Sequence, residues 1–192
     1  MEKAIVCIDF INEIVHPDGK LSGKGYADFV NSHGTLAKVK TLTEQARNMG
    51  IPVIWVAVQF DADYSNWPGE TSPLFGAAKK FGALTEGTWA TQMHEDVAAQ
   101  DSDIHMPKHR VSAFSNPEFA RKLSEMGVTQ LYIAGVATDL AVASAVLDAH
   151  DMDFQVTVVT DASAAANDED HQSALRQVAK VATLAELSKI QF

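Results

Sequence analysis

Four places in this 192-residue chain hold groups that could do chemistry together. Asp9 closes the apolar run KAIVCID, Gln59 closes the run IPVIWVAVQ, and Lys108 stands in the segment IHMPKHR. The fourth, Gly135-Val136-Ala137-Thr138-Asp139, joins an apolar run to an alanine-rich stretch. A carboxylate beside an ammonium group is a starting point for acid–base chemistry. Each place also has a plainer reading, with Asp9 as a cap, Lys108 as a solvated lysine and the turn as a simple connection. What would unite them is a parallel sheet, because ligands in open α/β sheets bind outside the carboxyl ends of the strands.

The elements of such a sheet can be read from the pattern. Residues 3–9 and 51–59 are short, β-branched apolar runs, as expected of buried parallel strands. Between them Phe29, Leu36, Val39, Leu42 and Ala46 recur at spacings of three, four and seven, which predicts an amphipathic helix closed by Gly50. Asn116-Pro117-Glu118 opens a helix with Phe119, Leu123 and Met126 on one face, Gly127 ends it, and residues 130–134 read as a strand. Thr138 or Asp139 is expected to cap a helix reaching Ala149. A strand follows at 155–159, then a helix carrying Ala174, Leu175 and Val178, and a last short strand near Val181. This alternation implies a doubly wound α/β fold, with a mostly parallel sheet of about six strands and helices on both faces. Residues 60–106 break the rhythm as a long, loop-rich insertion, the kind of segment that often carries function.

Composition removes several classes of function. Fifteen Lys and Arg against 25 Asp and Glu give a net charge of −10. Without a basic cluster the chain has no electrostatic footprint for nucleic acid. Its longest mainly apolar stretch, Leu140 to Leu147, is far short of the ~20 residues that cross a bilayer. Residues 1–6 (MEKAIV) lack the basic region and apolar core of a secretory signal, so a cytoplasmic location is expected. Cys7 is the only cysteine, which excludes an intramolecular disulfide, a thiol redox pair and a cysteine-based zinc site. With 46% hydrophobic residues, the chain can bury a core of its own.

The segments AIVCIDFINE, KHRVSAF from Lys108, IAGVATDLAV, LDAH and VVTDASAA, in that order, resemble the isochorismatase-like, or cysteine hydrolase, superfamily. That superfamily includes nicotinamidases, carbamoylsarcosine amidases and related small-amide hydrolases. The resemblance covers almost the whole chain and implies one hydrolase domain over residues 1–192. It places the family's catalytic aspartate on Asp9, its lysine on Lys108 and its nucleophilic cysteine on position 141, which is alanine here. It also implies a cis peptide at Val136-Ala137, with the amides of Ala137 and residue 141 turned to a developing oxyanion. In such amidases the thiolate attacks the carbonyl, the aspartate carries the proton to the leaving amine, and the lysine favours the charged forms. A thiol in the first turn of a helix, near a lysine, would have the lowered pKa this requires.

An alanine methyl cannot attack a carbonyl, and three explanations are open. One is a deliberate cysteine-to-alanine replacement, one a natural member with another mechanism, and one a pseudoenzyme that only binds. Cys7 does not fill the gap, because on strand parity it lies about 7 Å below Asp9, inside the predicted core. True isochorismatases lack the cysteine and cleave a vinyl ether by protonation from the aspartate, and Gln59 falls near a glutamine they use. Their Tyr-Ala-His turn is replaced here by Ala137-Thr138-Asp139, which favours the amidase branch.

No cofactor is expected. The nicotinamidase metal motif, Asp-x-His with a later His, has no match in Gln59-Phe60-Asp61-Ala62-Asp63. His105 and His109 are four apart, but Pro107 breaks the helix such a ligand pair would need, so both are expected to face solvent or hydrogen-bond. The run Gly19 to Gly25 lacks the spacing of a phosphate loop and reads as a mobile loop. Trp67, Phe75 and Trp89 in the insertion are candidates to wall the pocket of a small, planar substrate, with core or subunit-interface packing as the alternative. The resemblance further implies a homo-oligomer, a dimer or tetramer, acting on a small molecule.

Overall fold

A strand with no polar residue between Ala4 and Ile8 has to be covered on both sides, and β1 (Glu2–Ile8) is placed accordingly. The computed structural model describes residues 2–192; Met1, where the leader-free start is expected, lies outside them. Strands β1, β2 (Val53–Val58), β3 (Ile104–Lys108), β4 (Val128–Gly135), β5 (Gln155–Val159) and β6 (Thr183–Ala185) all pair in parallel, in the order β3-β2-β1-β4-β5-β6. The helices are α1 (Asn12–Val15), α2 (Tyr26–His33), α3 (Thr35–Asn48), α4 (Ala78–Phe81), α5 (Pro117–Glu125), α6 (Ala143–Asp151) and α7 (Asp168–Val178). None is long and apolar enough to cross a membrane.

Strand parity divides the core. Ile5, Cys7 and Trp55 pack with Phe29 of α2 and with Val39 and Leu42 of α3 on one face. Val6, Ile8 and Ile133 pack with Leu123 of α5, Val146 of α6 and Leu175 of α7 on the other. Each such side chain, fully buried, contributes about 1.5–3 kcal/mol. From β1 the chain winds outward to β2 and β3, then returns to place β4 on the other side of β1. The reversal therefore lies between β1 and β4, the position at which doubly wound sheets open a crevice. Gly135 lets the two strand ends approach, since a Cβ there would stand 2.9 Å from both Cβ and the carbonyl oxygen of Ile8.

Four expectations need correction. The single helix expected from Phe29 to Ala46 is two, α2 and α3, because Gly34 takes a left-handed conformation at φ 63° and breaks it. Neither Thr138 nor Asp139 caps the helix reaching Ala149: the chain enters through a π-helical turn, Thr138–Val142, whose cap, Ala137, has no side chain to bond with. The IHMPK segment is strand β3, at the sheet edge, where a proline's missing N–H is tolerated. The run Gly19–Gly25 is not free, because Glu13 accepts a hydrogen bond from the Lys20 amide (3.1 Å) and the Lys20 ammonium donates to the carbonyls of Phe81 (3.0 Å) and Gly82 (2.8 Å). The insertion is tied down from its far end, where Asp103 accepts bonds from Arg47 (2.6 Å) and from the Trp55 indole (2.8 Å).

Candidate active site

Asp9 leaves the end of β1 in the left-handed region, at φ 59°, which aspartate tolerates better than most residues. Its N–H donates to Val56 O at 2.8 Å and its Oδ1 accepts the Val58 N–H at 2.7 Å, so the carboxylate is turned across the end of β2. The pairing of β2 with β3 sets Lys108 opposite Val58. From there Lys108 Nζ reaches Asp9 Oδ2 at 2.7 Å and donates also to Arg110 O at 3.1 Å. The two side chains are 4% and 1% exposed, so this ion pair is screened from water. Burial pushes the Asp9 carboxyl up from its ordinary range, while the Lys108 charge, its hydrogen bond and the Val58 N–H pull the other way without cancelling the rise.

The third component comes from β4. The Val136–Ala137 bond is cis. Val136 N–H donates to Ile8 O at 3.0 Å and Thr138 N–H to Ala164 O at 2.8 Å, which fixes the turn on both sides. The Thr138 hydroxyl pairs with His171 Nδ1 at 2.8 Å, reaching α7 instead of capping α6. Between these anchored amides, the Ala137 N–H meets no acceptor among the described residues. Ala141 follows in the π-helical turn, 4% exposed.

Asp9, Lys108, Val136, Ala137 and Ala141 line one pocket of about 70 Å³ at the β1/β4 crevice. The three aromatic candidates separate. Phe75 lines this pocket. Trp67 stands behind it, donating its indole N–H to Phe75 O at 2.7 Å and packing edge-on to Tyr64. Trp89 is 44% exposed and sits edge-on to His16, away from the pocket. Gln59, one residue past the end of β2, lines a different cavity beside β3, with Trp55 and His94, and its carbonyl accepts a hydrogen bond from His109 Nδ1 at 2.8 Å. Neither Gln59, Trp67 nor Trp89 is among the residues lining the pocket of Asp9 and Lys108.

The sequence reading passed over Leu21, Tyr26, Leu84 and Leu140, which also line the pocket. Leu21 belongs to the run read as a mobile loop and Tyr26 opens α2 just after it; the signal for the placement of Leu21 and Leu84 is Glu13, a carboxylate in α1 that is 1% exposed and binds the amides of both Lys20 and Leu84. Cys7 lies in the core on the α3 side, and burial pushes its thiol up, away from nucleophilic form. His105 Nε2 pairs with Gln100 O at 2.9 Å, and no group of three or more metal-ligating side chains gathers among the described residues.

A cross-sheet acid–lysine pair and a strand-to-helix turn thus open into one pocket on a doubly wound sheet. The isochorismatase domain model matches residues 3–189, and the chain belongs to the isochorismatase family of hydrolases. It is 28% identical, over 84% of its length and 70% of the relative's, to the ureidoacrylate amidohydrolase RutB of Rhizobium rhizogenes. Its fold matches an isochorismatase family protein from Desulfovibrio vulgaris with a TM-score of 0.85 at 24% identity, covering 97% of this chain and 94% of the other. It also matches N-carbamoylsarcosine amidase from Thermoplasma acidophilum with a TM-score of 0.77 at 22% identity, covering 100% of both.

Proposed function

We propose that the pocket is built to hydrolyse a C–N bond of a small carboxamide or ureido compound through a thiol at position 141, and that the chain, with Ala141, is the form lacking that nucleophile. The observation that carries this reading is the buried Asp9–Lys108 pair at 2.7 Å, opening into the same pocket as Ala137 and Ala141. Removing two charges from water is costly, and a site without chemistry to perform has no physical need for them. The relative named as an amidohydrolase supports C–N cleavage.

With a cysteine at position 141, its proton passes to Asp9 as the thiolate sulfur bonds to the substrate carbonyl carbon. The oxyanion is met by the Ala137 N–H and by that of residue 141. Asp9 returns the proton to the departing nitrogen as the C–N bond breaks, leaving a thioester. Asp9 then takes a proton from water, the hydroxide displaces the thiolate, and the acid is released. Lys108 holds Asp9 in place and stabilises its charged form. The whole chain acts as one catalytic domain, and the reading keeps the expectation of a cytoplasmic homo-oligomer.

Ala141→Cys should release ammonia from small amides where the unchanged chain does not, and Asp9→Asn added to it should remove at least about 100-fold of that rate. One observation favours a second route, vinyl-ether cleavage by protonation: burial raises the Asp9 carboxyl toward the acid form such a step needs. That route predicts turnover with Ala141 in place, abolished by Asp9→Asn. Silence of both forms toward amides and vinyl ethers would leave a binding protein.

A further inference from the structure

Beyond the reacting groups, the pocket offers a substrate very little to hydrogen-bond. Its wall is Ile14, Leu21, Leu74, Phe75, Leu84 and Leu140, with Val58 and Val111 behind. Among the described residues, apart from Asp9 and Lys108, only Tyr26 and Lys24 bring polar side-chain groups to the lining, and Lys24 is exposed. The wall is also stiff. Leu21 and Leu84 come from two segments that Glu13 ties together through the Lys20 and Leu84 amides, at 3.1 Å each. Phe75 is braced by the Trp67 indole at 2.7 Å and by the edge of Phe60, with ring centroids 5.5 Å apart.

Resting on the hydrolase reading above, we infer that the substrate is a carboxamide whose body is apolar, branched or aromatic, and not a ureido acid. The reacting carbonyl sits between the Asp9 carboxylate and the 137–141 turn, so the rest of the molecule lies against leucine, isoleucine and phenylalanine side chains. Each methylene seated there gains about fourfold in affinity. Each N–H or carboxylate oxygen buried there without a partner loses about tenfold or more. The Lys24 ammonium stands exposed at the rim, where salt screens it. The volume, about 70 Å³, holds a body on the order of five to seven heavy atoms.

The test compares isobutyramide and benzamide with 3-ureidopropionate and ureidoacrylate. With Ala141→Cys, kcat/KM for ammonia release should be at least about tenfold higher for the apolar amides. Phe75→Asn should narrow that ratio, and Phe75→Leu should keep it. Equal rates, or preference for the ureido acids, overturns the inference; if Lys24→Met then erases the preference, the rim reads an anion instead. The same four compounds are titrated onto the unchanged chain, following the amide resonances of Ala137, Leu140 and Ala141. Tighter binding of the apolar amides there supports the wall's preference whatever the chemistry, whereas equal or reversed binding overturns it. Selective binding with no turnover in the cysteine form removes the hydrolase reading and leaves the apolar selectivity standing.

Discussion

At the scale of single residues, Asp9 and Lys108 form a unit whose members depend on each other. Their side chains are 4% and 1% exposed, and Nζ stands 2.7 Å from Oδ2. Taking away the ammonium alone leaves a carboxylate out of water with the Val58 N–H as its remaining donor. Lys108→Met is therefore expected to lose about 3–5 kcal/mol, with Asp9 taking up a proton to escape the unpaired charge. Asp9→Asn with Lys108→Met should lose less than the sum of the two single changes, because a neutral pair of similar volume avoids desolvation on both sides. Urea unfolding of the four proteins reads this directly, and strictly additive losses would mean that the two groups act separately. Lys108 is legible in the sequence through the family resemblance and, without it, only as a lysine in the segment IHMPKHR. Its partner was visible for the same reason, but the 2.7 Å contact depends on the pairing of β2 with β3, and β3 is hidden by Pro107 and by the half-buried alternation of an edge strand.

At the scale of elements, what the sequence shows well is whatever repeats locally. The runs that became β1, β2, β4 and β5 are mostly apolar because both faces are covered, and α5 carries its own start in Asn116, whose side chain accepts the Glu118 N–H at 3.0 Å. The break at Gly34 was missed because the spacing of Phe29, Leu36 and Val39 carries straight across it. The pocket wall was misassigned for a different reason: the path of the insertion is set by contacts distant in sequence, such as Glu13 with Leu84, 71 residues apart. Those contacts make a prediction of their own. Glu13→Gln replaces one carboxylate acceptor by an amide donor facing a backbone N–H, and should cost about 2–3 kcal/mol. Hydrogen exchange should speed up at the Lys20 and Leu84 amides while the β1 and β4 amides stay protected. Uniform acceleration through the sheet would show that Glu13 supports the whole core and not only the two loops it joins.

At the scale of the whole molecule, two buried histidines at opposite places in the fold set how stability responds to mild acid. His171, 6% exposed, pairs with Thr138 beneath the turn that carries position 141, and His94, 8% exposed, accepts the Asp96 N–H at Nδ1. Burial lowers the pKa of both, against smaller contributions from neighbouring acids that raise it. The unfolded chain, with ordinary histidines, therefore binds more protons than the folded one as pH falls through about 6.5, so stability rises with pH across this window. The folded state holds its full advantage above the unfolded value and loses it progressively below. Asp9 acts with the opposite sign, since its raised carboxyl makes the folded state bind a proton more readily, and this partly offsets the histidines at the acid end. Unfolding free energy should thus fall between about pH 7 and pH 5, and His94→Gln with His171→Gln should flatten that slope. If the two proteins lose stability in parallel, the histidines are not the groups that take up the protons, and the acid response lies with the carboxylates instead.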